Sequence, residues 1–387
     1  MTLTSKQRYL ACLNREKPDC LPASNHFVMP SFLKNCMNGI SAEEFFDKTG
    51  VDPILWTISH TFDPDKGEYF DPQQGDLGFL EAKRISTDQW RIYPEKVAGT
   101  EYDTTRFNFV TPNKTLSMVL AANEHTAWVT EHLIKEQSDI EILAKYMTSP
   151  TCDVADINQQ AEAYGERGLV RGWICCFDIF GQPGTWQDAC CLHGTEEMIM
   201  AAYDDPEWVH EFLQILYERK LHYIKSLKGA KYDIHELGGG SASSTVINPY
   251  IFDHFVAPYD SKLIAALHDA GQRVSYHTCG GMMPFLERIV AMGPDAIETL
   301  TPPAMGADVD LSEVKRRVGD KVCLIGGFDQ FHYLINCTPE QTRAEVRRCF
   351  EAAGEGGGYI LCTSDNYFEA DPELIKVFAD EAHKCVY

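Results

Sequence analysis

Short apolar runs alternate with longer amphipathic stretches along most of the chain. Eight apolar runs read as strands: Leu21–Val28, Asp52–Thr57, Leu169–Cys176, Tyr232–Leu237, Arg273–Cys279, Ala296–Leu300, Val322–Gly327 and Gly357–Cys362. Helix starts and stops lie between them. Ser41 and Glu44 have capping-box spacing. Asp205-Pro206 opens a helical pattern to about Leu227, closed by Gly229. Asn248-Pro249 opens one to about Ala270, with Gly271 beyond. Thr338-Pro339, with Gln341, opens one ending at Gly354, and Asp371-Pro372 opens the last. A polar cap satisfies the first free N–H groups, Pro costs nothing at the first turn, and Gly ends the helix.

Strands separated by helices pair in parallel through right-handed crossovers, and eight such units close into a barrel. No glycine-rich dinucleotide loop follows an early strand, which disfavours an open doubly wound sheet. The expected fold is therefore α/β: a (β/α)8 TIM barrel forming one domain over residues 1–387. Thr57 and Leu169 are 112 positions apart, far more than one crossover needs. Within that stretch, TRFNFVT from Thr105 and LSMVLAA from Leu116 alternate with period two. They predict a partly antiparallel insertion, about 59–165, between the second and third strands and near the barrel mouth. It would shape substrate entry; plain structural decoration is the competing reading.

Charge narrows the partners. The chain has 34 basic and 57 acidic residues, a net charge of −23. This argues against nucleic acid or an anionic membrane surface. No apolar run is long enough to span a bilayer, and MTLTSKQRYL lacks a secretory core, so a cytoplasmic location is expected. Fourteen cysteines in such a chain read as reduced thiols or metal ligands, suited to a reducing, anaerobic cytosol.

Barrel chemistry collects where strands end. The fifth strand ends Tyr276-His277-Thr278-Cys279. Alternate strand residues point to one side, so His277 and Cys279 can approach a single ion. Cys362 ends the eighth strand, opposite the fifth in a closed barrel. One imidazole and two thiolates suit Zn²⁺ and leave a fourth position open. A buried, non-ligating pair is the competing reading of the same residues. Glu236 and Glu298 end the strands flanking the fifth, as candidate fourth ligands or acids. His26, Phe27, Asp178, Phe180, Phe328 and Asp329 follow other strands and could line an aromatic pocket; ordinary loop packing is their alternative. Adjacent pairs such as Cys175-Cys176 and Cys190-Cys191 point in opposite directions and read as core.

The segments NPYIFDHFVAPY from Asn248, HTCGGMMPFLERIVAMGPDAIE from His277, DLSEVKRRVGDKVCLIGGFDQ from Asp310, TPEQTRAEVRRCFEAAG from Thr338 and GGGYILC from Gly356 resemble the uroporphyrinogen decarboxylase superfamily. The opening SKQRYLACLNREKPDCLP is also similar. The resemblance implies a (β/α)8 barrel. Porphyrin-binding members carry arginines after the first strand, whereas this chain reads SNHFVMPSFLKNCMNG. The H-x-C and the distant cysteine resemble instead the zinc motif of corrinoid-dependent and coenzyme M-linked methyltransferases. Cys362 stands at the strand end, where the coenzyme M branch has its cysteine further into a proline-glycine loop.

The resemblance therefore implies an O-demethylase methyltransferase: a zinc enzyme moving methyl from a methoxylated, aromatic substrate to the cob(I)alamin of a separate corrinoid protein. The resemblance implies that the cobalamin rides on that partner. A methylcobalamin:thiol methyltransferase, a metal-free decarboxylase and a non-enzymatic binding barrel remain alternatives.

Overall fold

A computed structural model describes residues 2–73, 83–174 and 181–387. Eight parallel strands form a nearly closed barrel: β1 (Ala23–Ser24), β2 (Ile54–Trp56), β3 (Leu169–Trp173), β4 (Ile234–Gly238), β5 (Val274–His277), β6 (Ala296–Thr299), β7 (Cys323–Phe328) and β8 (Tyr359–Thr363). The hydrogen-bonded order runs β2-β3-β4-β5-β6-β7-β8-β1. The fold is the (β/α)8 barrel that the strand–helix rhythm predicts, with strand ends displaced by a few residues.

Between β1 and β2 a single residue bridges the gap. Asp52 donates its backbone N–H to the Ala23 carbonyl at 2.8 Å, and its Oδ2 accepts from the Ala23 N–H at 2.9 Å. The same carboxyl accepts from Ser5 Oγ at 2.5 Å, Arg8 Nη1 at 3.2 Å and His383 Nε2 at 2.9 Å.

The caps do as expected. Ser41 and Thr338 form reciprocal capping boxes, and Asp205, Asn248 and Asp371 each accept from a first-turn N–H. The helical stretch opened by Asn248 is not uniform. It widens to a π turn at Phe252–Val256 before Ala257–Asp269. Pro258 has no N–H to give the His254 carbonyl, the usual origin of such a widening.

The barrel interior is layered. Ile54, Leu169, Ile234, Ala296, Cys323 and Ile360 form its apolar lower part, packed with Tyr9, Cys12 and Leu13 of the helix Ser5–Leu13. Two residues further along each strand the same side carries Trp56, Arg171, Glu236, Glu298, Ile325 and Cys362. Period-two alternation thus turns an apolar floor into a charged ceiling within one step. The residues that alternate with the inward-facing ones, such as Leu324 and Tyr276, pack outward among the helices.

The segment between β2 and β3 holds a four-stranded antiparallel sheet: Arg91–Lys96, Asp103–Val110, Thr115–Ala122 and Ala127–Glu131. Phe107, Phe109, Leu116, Met118 and Leu120 form its buried face, as the alternation predicts. The hairpin tip reaches the barrel's C-terminal side. There Asn35 Nδ2 donates to Glu124 at 2.8 Å, and the His125 ring meets Phe368 edge-on at 5.6 Å. Among the described residues, no helix is long and apolar enough to cross a membrane.

Candidate metal centre

Four side chains converge at the upper end of the barrel: His26, Glu236, His277 and Glu298, with one potential ligand atom of each within 4.8 Å of the others. Their positions follow from register. His277 of β5 pairs with Glu298 of β6, and β4 pairs with β5 on the other side, with Glu236 opposite Ser275. His26 lies just past β1, which the closed barrel brings across the mouth. Glu298 Oε1 lies 3.3 Å from His277 Nδ1, and Glu236 Oε2 lies 3.9 Å from it and 3.7 Å from His26 Nε2.

Arg171 binds the two carboxylates together. Its Nη2 donates to Glu236 Oε2 at 2.7 Å and also to Glu298 Oε1. Its guanidinium lies on the face of Trp56, 4.3 Å from the ring centroid, and Trp56 Nε1 donates to the His26 carbonyl at 2.7 Å. Sequence reading missed both Arg171 and Trp56. The available signal was one charged residue inside the otherwise apolar run LVRGW, since a buried arginine demands partners.

Burial and charge divide these groups. Burial would raise Glu298, but the Arg171 charge and the hydrogen bond from His277 hold it well below the usual carboxylate range. Burial pushes Glu236 upward, and the neighbouring Glu298 charge adds to that, although His277 and Arg171 oppose it. Burial would lower His277, yet Glu236 and the bonds to Cys279 and Glu298 raise it well above an ordinary imidazole. His26 goes the other way, to about 3, through burial and then the charge of His277. Two carboxyls pushed apart in this way are the arrangement from which an acid and a base are made.

The thiols sit differently. Cys279 lies beyond the end of β5, exposed, and hydrogen-bonds His277. Gly240 makes room for it: a Cβ there would stand 2.7 Å from Cys279 Sγ. Gly238, at φ +103°, likewise lets the chain pass the His277 carbonyl, which a Cβ would meet at 2.4 Å. Cys362 belongs to the charged ceiling, beside Glu298 and Arg171, and burial pushes its thiol up to about 12. Neither thiol belongs to the compact group of four. The donors beside His277 are the carboxylate oxygens of Glu236 and Glu298, the His26 ring and the Cys279 thiol, with Cys362 on the far side of Glu298 and Arg171; nitrogen, sulfur and oxygen donors of this kind suit zinc.

The remaining expected pocket residues fall in three places. Phe27 stands half-buried with its ring edge-on to Trp56 at 6.3 Å, next to the cluster. Phe328 is fully buried against Phe378, ring centroids 4.6 Å apart, so it supports the barrel wall from the helix side. Asp329 caps the helix Gln330–Tyr333 and pairs with His332 Nδ1 at 2.7 Å. Asp178 and Phe180 lie outside the described residues, as do Cys175 and Cys176.

A family model described as uroporphyrinogen decarboxylase (URO-D) matches residues 182–385, more than half of the chain and all of β4 to β8. The uroporphyrinogen decarboxylase of Thioalkalivibrio sulfidiphilus is 29% identical over 190 residues, 47% of this chain and 50% of that protein. The one from Psychromonas ingrahamii is 28% identical over 231 residues, 56% of this chain and 61% of that protein. The chain thus spans between 50% and 61% of the length of these relatives. Among solved structures, a methyltransferase from Methanosarcina mazei superposes with a TM-score of 0.63, covering 99% of each chain at 14% identity. At that identity the likeness is one of fold.

Proposed function

The chain belongs to the uroporphyrinogen decarboxylase family, and from that premise we propose that it is a zinc-dependent methyltransferase. It would take the methyl group of a methoxylated, aromatic substrate and deliver it to the cob(I)alamin of a separate corrinoid protein. The observation that carries this reading is the donor set around His277. The metal-free decarboxylase reading gives this donor set no metal to hold. The charge pattern agrees: Arg171, a cation inside the barrel, is matched by Glu236 and Glu298 and offers little to a polyanionic porphyrin.

The proposed ligands are His277, Cys279 and Cys362. Zinc bound there supplies a Lewis acid for the ether oxygen, which otherwise leaves as a poor phenolate. The chain's own residues do the rest. Glu236, whose carboxyl burial favours in its neutral form, holds a proton that the departing oxygen can take. His26 and Phe27, beside Trp56, offer an uncharged, aromatic wall to an arene. No side chain matches the nucleophilicity that methyl ether cleavage requires, so the acceptor comes from the corrinoid partner at the mouth.

The test is anaerobic incubation of the purified chain with a methoxyarene panel and a reduced corrinoid protein. The expected result is conversion of the cob(I)alamin spectrum to methylcobalamin, abolished by chelation and restored by zinc. Demethylation without any cobalt would return the weight to the decarboxylase-like alternatives. Consumption of methylcobalamin by free thiols would favour the thiol methyltransferase.

A further inference from the structure

Outside the cluster, the rim of the barrel is uneven. Eight large apolar or aromatic side chains are exposed among the described residues. Four of them, Met200, Tyr203, Val246 and Tyr250, between 40% and 56% exposed, belong to one side of the rim. Tyr203 and Tyr250 stack at 5.4 Å with their planes 19° apart, and Asn248 Nδ2 donates to the Tyr203 hydroxyl at 2.7 Å. Met200 stands one turn before Tyr203 on the helix Thr195–Asp204. Tyr203 borders an open groove of about 430 Å³, whose walls include Ile199, Val246, Ile247, Pro249 and Ile251. Contiguous apolar surface of this kind marks a place where another molecule sits.

The groove is joined to the mouth. Ser244, also in its wall, donates its N–H to the Gly281 carbonyl at 2.7 Å, and the Gly281 N–H donates to Thr245 Oγ1 at 2.8 Å. Gly281 lies two residues past Cys279. Charge then narrows the occupant. Residues 194–218, 232–261 and 274–287, which supply this side of the barrel, contain no Lys or Arg, and the first stretch alone has seven carboxylates. Arg288, the next cation, is engaged by Asp253 at 2.7 Å. Two copies of this chain meeting here would set acid against acid, which disfavours the pairing. An apolar ridge flanked by Lys or Arg is the complementary surface.

We propose that this groove is the docking surface for the corrinoid protein, which seats such a ridge against Tyr203, Val246 and Tyr250. The proposal rests on the methyl-transfer reading above and adds where the carrier binds. Tyrosines serve well as anchors, because a large ring is buried at the cost of few torsions. The surrounding carboxylates would speed encounter with a basic face, more so at low salt.

The experiment uses the full zinc-loaded chain, a methoxyarene donor and two acceptors: a purified, reduced corrinoid protein and free cob(I)alamin. The double variant Tyr203→Ala, Tyr250→Ala, and separately Val246→Lys, should raise KM for the corrinoid protein by about tenfold or more. Their kcat at saturating corrinoid protein, their transfer to free cob(I)alamin and their circular dichroism should match wild type. Added salt should raise KM for the protein acceptor alone. Wild-type KM in both variants, or an equal loss with free cob(I)alamin, would overturn the docking assignment while methyl transfer stands. Conversion of a wild-type dimer to a monomer, with KM unchanged, would give the groove to a second copy and also overturn it. Wild-type chain that methylates neither acceptor would remove the methyl-transfer reading, and this proposal with it.

Discussion

His26 and His277 approach to a ring-centroid distance of 4.9 Å, although one follows β1 and the other ends β5. The contact spans the barrel mouth and sets its width at that point. Because burial and the His277 charge keep His26 neutral, it contributes a ring and a lone pair without adding a cation. His26→Ala should lower kcat/KM by about tenfold through loosened substrate placement, with the melting temperature little changed. Steady-state kinetics against a methoxyarene checks this; unchanged kinetics would place His26 outside the substrate's reach.

One zinc per chain is expected. Cys279 is exposed beyond the end of β5 and supports no core, so Cys279→Ala should lose most bound zinc while keeping its fold. Elemental analysis beside circular dichroism separates the two effects. Full zinc content in the variant would reject the thiol as a ligand.

Asp52 should matter for stability far more than for chemistry. It joins β1 to β2 and collects Ser5, Arg8 and His383 on one buried carboxyl. Asp52→Ala leaves those donors without their acceptor and should destabilise by about 3–5 kcal/mol, read from chemical denaturation. A loss below about 1 kcal/mol would show that the gap closes without it.

Acid should weaken one specific contact. Asp19 pairs with Arg8 Nε at 2.7 Å; despite some burial, that partner lowers its carboxyl to about 2. The folded value lies below the unfolded one, near 4. Its contribution is therefore complete above about pH 4 and vanishes as pH falls through 2. The site is partly solvated, so Asp19→Asn should cost only about 1 kcal/mol at neutral pH, and nothing near pH 2. An equal cost at both values would exclude the ion pair as the cause.

Much of this molecule was legible residue by residue. Ser41 with Glu44, and Thr338 with Gln341, set helix starts by contacts within four residues, so the pattern carries them. Glu236 and Glu298 could be placed because strand ends point at the mouth. His26 could not be settled, since only closure of the barrel brings the end of β1 across from β5. The role of Arg171 was not legible for a related reason: its three partners, Trp56, Glu236 and Glu298, come from three other strands. Phe328 looked like a pocket wall by its position after a glycine pair, but alternation from Ile325 turns it to the helices.

Among the described residues, the apolar floor beneath the ion cluster closes the lower end of the barrel. Ile54, Leu169, Ile234 and Ile360 offer water no foothold, and Tyr9 and Cys12 plug the space below them. Substrate and solvent thus meet the cluster from the upper side, not through the floor. A protein docked over that opening would cut the cluster off from bulk water for the length of the encounter. During that time a departing oxygen could draw its proton only from the wall of the barrel, where Glu236 stands.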